Sequence, residues 1–217
     1  MINQEPSVIL VRDYENKTWH IEVNNFSSFR DVIGAKLLNA FSRCFIHVDR
    51  LTSLINFGYH NIQKNQKYTP SSQRNLYTMT WFSVGTLYEL SESIQELRNS
   101  FYLHPTFKLD PEYQKKLKDF DKRWKNKKPF KKMRNSVSFH VDRNIVEDGL
   151  EYLSQTKENV IIIEGNGETQ QDVIHSLGDE ILFSESNMSY SEMETFLEQV
   201  VNDLEIGFTI TELFQKL

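Results

Sequence analysis

Residues suited to a buried face recur at steps of three and four over two long stretches, and this pattern restricts the fold more than any other feature. Phe29, Ile33, Leu37, Phe41, Cys44, Val48, Leu51 and Ile55 make the first series. Leu76, Thr80, Ser83, Leu87, Leu90, Ile94, Leu97 and Phe101 make the second. At about 3.6 residues per turn each series is one stripe down one side of a helix. Ser27 or Ser28 offers an N-cap for the first helix, with Asp31 in its first turn. Pro70 precedes the second. Two helices near 28–65 and 71–102, joined by a polar segment, bury such stripes by pairing as an antiparallel hairpin.

The rest of the chain is arranged around that pair. Val8–Val11 and Trp19–Val23 flank a polar stretch and predict a β-hairpin over about 8–24. Leu103-His104-Pro105 ends the second helix, because a proline disfavours helical geometry in the residue before it. Pro111 opens a charged helix to about Asn126, Pro129 breaks it, and Asn144 to Leu153 suits a further short helix. Val160–Glu164 reads as a strand, and Asn166-Gly167 is a hairpin signal that pairs it with a strand over Glu168 to His175. Ile181-Leu182-Phe183 offers a third, so a β insertion spans about 159–184. Ser189 or Ser191 caps a C-terminal helix over about 190–216, with Met193, Phe196, Val200, Leu204 and Phe208 on its inner face. The expected fold is mainly α, one antiparallel helical bundle over 1–217 with a small β appendage.

Composition removes several classes of function. No apolar run approaches the roughly 20 residues of a membrane span, and the first residues lack the basic start and apolar core of a secretory signal. The single Cys44 has no disulfide partner within the chain, and neither a CxxC nor an HExxH is present. A cytoplasmic protein with no membrane, metal or cofactor is the expectation. Cys44 and His47 lie three apart on the first helix, but Cys44 falls on the apolar stripe and reads as packing rather than as a nucleophile.

Charge points to a partner. Lys115 to Arg134 holds 11 Lys/Arg against Asp119 and Asp121, a net of +9 on a chain of −5, so the remainder carries −14. A positive island on an acidic protein creates a local field for a polyanion. Phe120, Trp124 and Phe130 interleave with the lysines. Such rings either stack on unpaired bases or form the inner face of the helix, since Phe120 and Trp124 are four apart.

At the end of the island stands Arg134-Asn135-Ser136-Val137-Ser138-Phe139-His140. The stretch from Lys131 to Asp142 resembles the signature of the HEPN superfamily, in which an Arg, usually followed by a polar residue, precedes a His by a few positions. Many members are small helical ribonucleases of toxin–antitoxin, abortive-infection and other defence systems. The resemblance implies a HEPN-like bundle, a homodimer with its cleft across a two-fold axis, and an antitoxin protein as a possible partner. The chemistry suits these residue types. Metal-free RNA cleavage uses the 2′-OH as nucleophile, needs proton transfer, and needs a cation to offset charge on the phosphorane. Histidine titrates near neutrality, and the arginine fork donates two parallel hydrogen bonds while staying charged. Arg134, Asn135 and His140 are therefore the candidate catalytic residues, with Lys125, Lys127, Lys128, Lys131 and Lys132 as RNA-binding candidates.

Geometry and repetition both bear on this assignment. Six positions along a straight helix rotate by about 600°, which leaves Arg134 and His140 roughly 120° apart. Either the chain bends between them or two subunits share the site. A second copy, Arg98-Asn99-Ser100-Phe101-Tyr102-Leu103-His104, has the same spacing. Phe101 belongs to the apolar stripe and Pro105 follows His104, so this copy reads as a helix end. The expected function is a metal-independent endoribonuclease for single-stranded or looped RNA. The alternative is a catalytically silent helical module that binds RNA or a protein through 115–134.

Overall fold

The computed structural model describes residues 5–13, 15, 18–61, 70–125, 143–156, 164–165, 173–174 and 190–217. The described fold is mainly α with small antiparallel β elements. β1 (Ser7–Asp13) and β2 (Thr18–Asn24) form the N-terminal hairpin, with Val8 opposite Val23 and Leu10 opposite Ile21. The helices are α1 (Phe26–Ile33), α2 (Ala35–Asn61), α3 (Pro70–Leu103), α4 (Pro111–Lys125), α5 (Arg143–Thr156), α6 (Tyr190–Asp203) and α7 (Ile206–Gln215). β3 (Glu164–Gly165) pairs with β4 (Val173–Ile174), on either side of Asn166-Gly167. Val160–Ile163 and Ile181–Phe183 lie outside the described residues.

Two compact units divide these elements. The first comprises 1–48, 90–123 and 204–217; the second comprises 49–89 and 124–203.

In the first unit the two predicted stripes meet. Phe29, Ile33, Leu37, Phe41 and Cys44 are buried, as are Leu90, Ile94, Leu97 and Phe101. Phe41 packs edge-on against Phe101, and Arg43 pairs with Glu96. The partner number falls as the first number rises, so α2 and α3 run antiparallel here. Phe214 of α7 sits among Phe29, Phe41 and Phe45, with ring centroids 5.3–5.7 Å apart and near-perpendicular planes. Such edge-to-face contacts set ring edges against ring faces, as the quadrupole favours. Gly207 lets α7 approach α2, because a Cβ there would lie 2.8 Å from Val48 Cγ1.

In the second unit Leu51, Ile55, Met79, Val84 and Leu87 are buried, as are Leu153, Met193, Phe196, Leu197 and Val200. Trp124 packs edge-on against Phe196 at 5.6 Å, and its indole N–H donates to Asp203 Oδ2 at 2.8 Å. A buried indole N–H needs such a partner.

Three sequence expectations are corrected. The first long helix is two segments, since Gly34 at φ 78° breaks the helix where a residue with a Cβ would be strained. Its start lies earlier than Ser27 or Ser28: both sit inside α1, and Asn25, at φ 52°, takes the N-cap position. The C-terminal helix is likewise two, interrupted at Leu204–Glu205. That interruption resets the helical phase. Ile206, Thr209, Ile210, Leu213 and Phe214 become the inner face of α7, and Phe208 turns outward, 67% exposed.

Candidate functional site

Arg134, Asn135 and His140 lie outside the described residues, as do Lys127, Lys128, Lys131 and Lys132. The described part of the basic segment is α4, which ends at Lys125. Its start is fixed by Asp110, whose Oδ1 accepts the Glu112 N–H at 2.8 Å while its carbonyl accepts the Gln114 N–H. That is an N-cap satisfying an otherwise orphaned donor. Tyr113, Leu117, Phe120 and Trp124 recur at steps of four, three and four and are all buried. Phe120 and Trp124 are therefore core residues, and the alternative in which they stack on bases is corrected. Burial wins because each ring removes a large apolar area from water. Phe130 lies outside the described residues.

The opposite side of α4 is basic. Lys115, Lys118 and Lys122 are exposed and, at steps of three and four, line one face. Lys116 is tied to Glu112 at 2.9 Å, which raises its pKa through the hydrogen bond and the opposite charge. Asp121, one of the two acids in the island, faces inward. Its Oδ1 accepts the Ser91 hydroxyl at 2.6 Å, and Oδ2 lies 3.5 Å from Arg98 Nη1. One of the island's two negative charges is thereby withdrawn from the lysine face.

The second Arg-Asn-x4-His copy is built as a helix end. His104 follows the last residue of α3, and its ring is occupied at both nitrogens. Nδ1 accepts the backbone N–H groups of Thr106 at 3.2 Å and Phe107 at 3.0 Å. Nε2–H donates to the Ile33 carbonyl at 2.8 Å, which joins the end of α3 to the end of α1. Two backbone donors on Nδ1 fix the neutral tautomer that carries its proton on Nε2. Lys108 Nζ donates to the His104 carbonyl at 2.6 Å, placing a cation where the helix dipole is negative. Arg98 faces Asp121, and its Nε has no hydrogen-bond partner among the described residues.

Beside this helix end is a cavity of about 410 Å³. Phe101 and Leu109 give it an apolar wall, and Arg98, Asn99, Lys108 and Gln114 bring polar groups. Tyr102 stands at the same cavity, 83% exposed. The sequence signal for it was slight: Tyr102 and Leu103 are two apolar residues off the buried stripe, next to a Lys-containing loop.

Cys44 is fully buried, and burial pushes its thiol up to about 12, so it is packing and not a nucleophile. Among the described residues no His, Cys, Asp and Glu gather to hold a metal ion, and no helix is long and apolar enough to cross a membrane. Comparison of the chain finds no matching family model, curated protein or solved structure.

Proposed function

We propose that the chain is a metal-independent endoribonuclease of the HEPN type, acting on single-stranded or looped RNA. The observation that carries the reading is the lysine row of α4. It is exposed, faces away from the core, and belongs to the helix that precedes the Arg134 motif in the sequence. A row of ammonium groups holds a phosphate backbone by counterion release. Arg134 then stabilises the phosphorane, His140 transfers protons, and Asn135 positions them. The 2′-OH attacks the adjacent phosphorus and the 5′-oxygen leaves, giving a 2′,3′-cyclic phosphate. His104 is committed to holding a loop, which leaves the copy at 134–140 for proton transfer. A two-fold homodimer would supply both Arg134 and His140 to one cleft from separate subunits. A cytoplasmic toxin or defence component held by an antitoxin protein is the role this chemistry would serve.

The purified chain should cut RNA in the presence of EDTA and leave cyclic phosphate ends. Arg134→Ala and His140→Ala should each lower the rate by about 10²–10⁴ with the fold intact. If the wild type cuts no RNA, the enzyme reading fails. Salt-dependent RNA binding without cleavage would then favour the silent RNA-binding module, because the lysine row exists independently of the motif.

A further inference from the structure

The cavity at the end of α3 is given no role in the cleavage chemistry proposed above, and its lining is specific enough to name a ligand. Its volume falls within the roughly 300–1,000 Å³ of small-ligand pockets, which pair apolar walls with a few placed polar groups. Phe101 and Leu109 are the walls, and the Asn99 and Gln114 amides each offer both a donor and an acceptor. Two cations line it, and they differ. Arg98 is matched by Asp121. Among the described residues Lys108 lies against backbone carbonyls, Nζ donating to His104 at 2.6 Å and reaching Tyr102 at 3.5 Å, with no carboxylate beside it. An ammonium has three donors, so Lys108 keeps capacity for an anion. Tyr102 adds a ring face open to water.

An aromatic face, two amides and an ammonium with a donor to spare are what a nucleotide needs. The ring stacks the base, the amides read its edge, and the cation meets the phosphate. The cavity also reaches the helix that carries the basic row, through Gln114. Gln114 lies four residues before Lys118 and shares its face of α4, beside Lys115.

We propose that this cavity is a base-specificity pocket, taking one unpaired nucleotide of an RNA strand that lies along Lys115, Lys118 and Lys122. The inference rests on the RNA-binding part of the preceding reading and on no step of cleavage.

Fluorescence anisotropy with short labelled homopolymers of A, C, G and U tests it on the full chain. The wild type should prefer one base. Tyr102→Ala should weaken that preferred strand about tenfold, the loss of one stacked base, and should narrow the preference. Tyr102→Phe keeps the ring and should bind as the wild type does. Gln114→Ala should change the order of preference at small total loss. Neither residue is charged, so the salt slope should stay constant, which a phosphate contact would not allow. Equal affinity for all four strands, or wild-type preference in Tyr102→Ala and Gln114→Ala, overturns the proposal while leaving RNA binding standing. A wild type that binds no RNA at low salt overturns both.

Discussion

Replacing His104 by alanine separates the two Arg-Asn-x4-His copies, and the structure sets the size of the effect. Three hydrogen bonds vanish: Nε2 to the Ile33 carbonyl, and the Thr106 and Phe107 N–H groups to Nδ1. The bond to Thr106 is exposed, so water replaces it at little cost. The other two are part-buried, and each is worth about 0.5–1.5 kcal/mol net. Ring contact with Phe107, at 4.9 Å between centroids, is lost as well. The expected destabilisation is about 2 kcal/mol, or roughly 4–8 °C in Tm for a chain of this size. Cleavage measured well below that Tm should be nearly unchanged. His104→Asn keeps a side-chain oxygen near the two N–H groups and should recover part of the stability. Thermal melts and RNA cleavage on the same preparations provide the check. A His104→Ala protein with unchanged Tm and no cleavage would refute the reasoning, since the imidazole would then be a chemical group and the active copy would be the one at 98–104.

Changing Lys115, Lys118 and Lys122 together to Gln should leave Tm nearly unaltered, because all three are exposed, and should flatten the salt dependence of RNA binding by about 0.7 per lost phosphate contact; an unchanged slope would place the RNA elsewhere. Trp124→Phe keeps the packing against Phe196 but removes the bond to Asp203, so urea unfolding should show a loss of about 1.5–3 kcal/mol, the range for a bond to a charged acceptor. Cys44 holds its proton more tightly in the folded chain, with its pKa raised from 9.0 to about 12. Its contribution is complete below pH 9 and is lost as pH rises from 9 towards 12, because the unfolded thiol ionises first. Unfolding midpoints at pH 8 and pH 10.5 should therefore fall further apart in the wild type than in Cys44→Ala.

The pairing of α2 with α3 was legible in the sequence, because a buried face on a helix must repeat at its own turn and few other patterns mimic that repeat. Proline marked the end of α3 and the start of α4 for a similarly local reason: its ring constrains the residue before it, and Pro111 opens α4. The Asn-Gly pair marked the neighbourhood of the β3–β4 pairing but not its register: Gly165 pairs with Val173, so seven residues separate the strands rather than the two of an Asn-Gly turn. Phase breaks were not legible. Gly34 and Leu204–Glu205 interrupt helices whose apolar spacing runs on nearly unbroken across them, so Phe208 was assigned to the face it turns away from. The two uses of Phe120 and Trp124 were equally consistent with spacing, and only the neighbours decided between them: Trp124 meets Phe196 and Asp203, residues far along the chain. The same holds for the two identical motifs. Arg98 and His104 carry the same side chains at the same separation as Arg134 and His140. Tertiary structure gave His104 the Ile33 carbonyl and two loop N–H groups, and gave Arg98 the Asp121 carboxylate. Sequence fixes which chemical groups are present and their local period, whereas the partners that occupy a group's lone pairs and protons come from distant segments and exist only once the chain is folded.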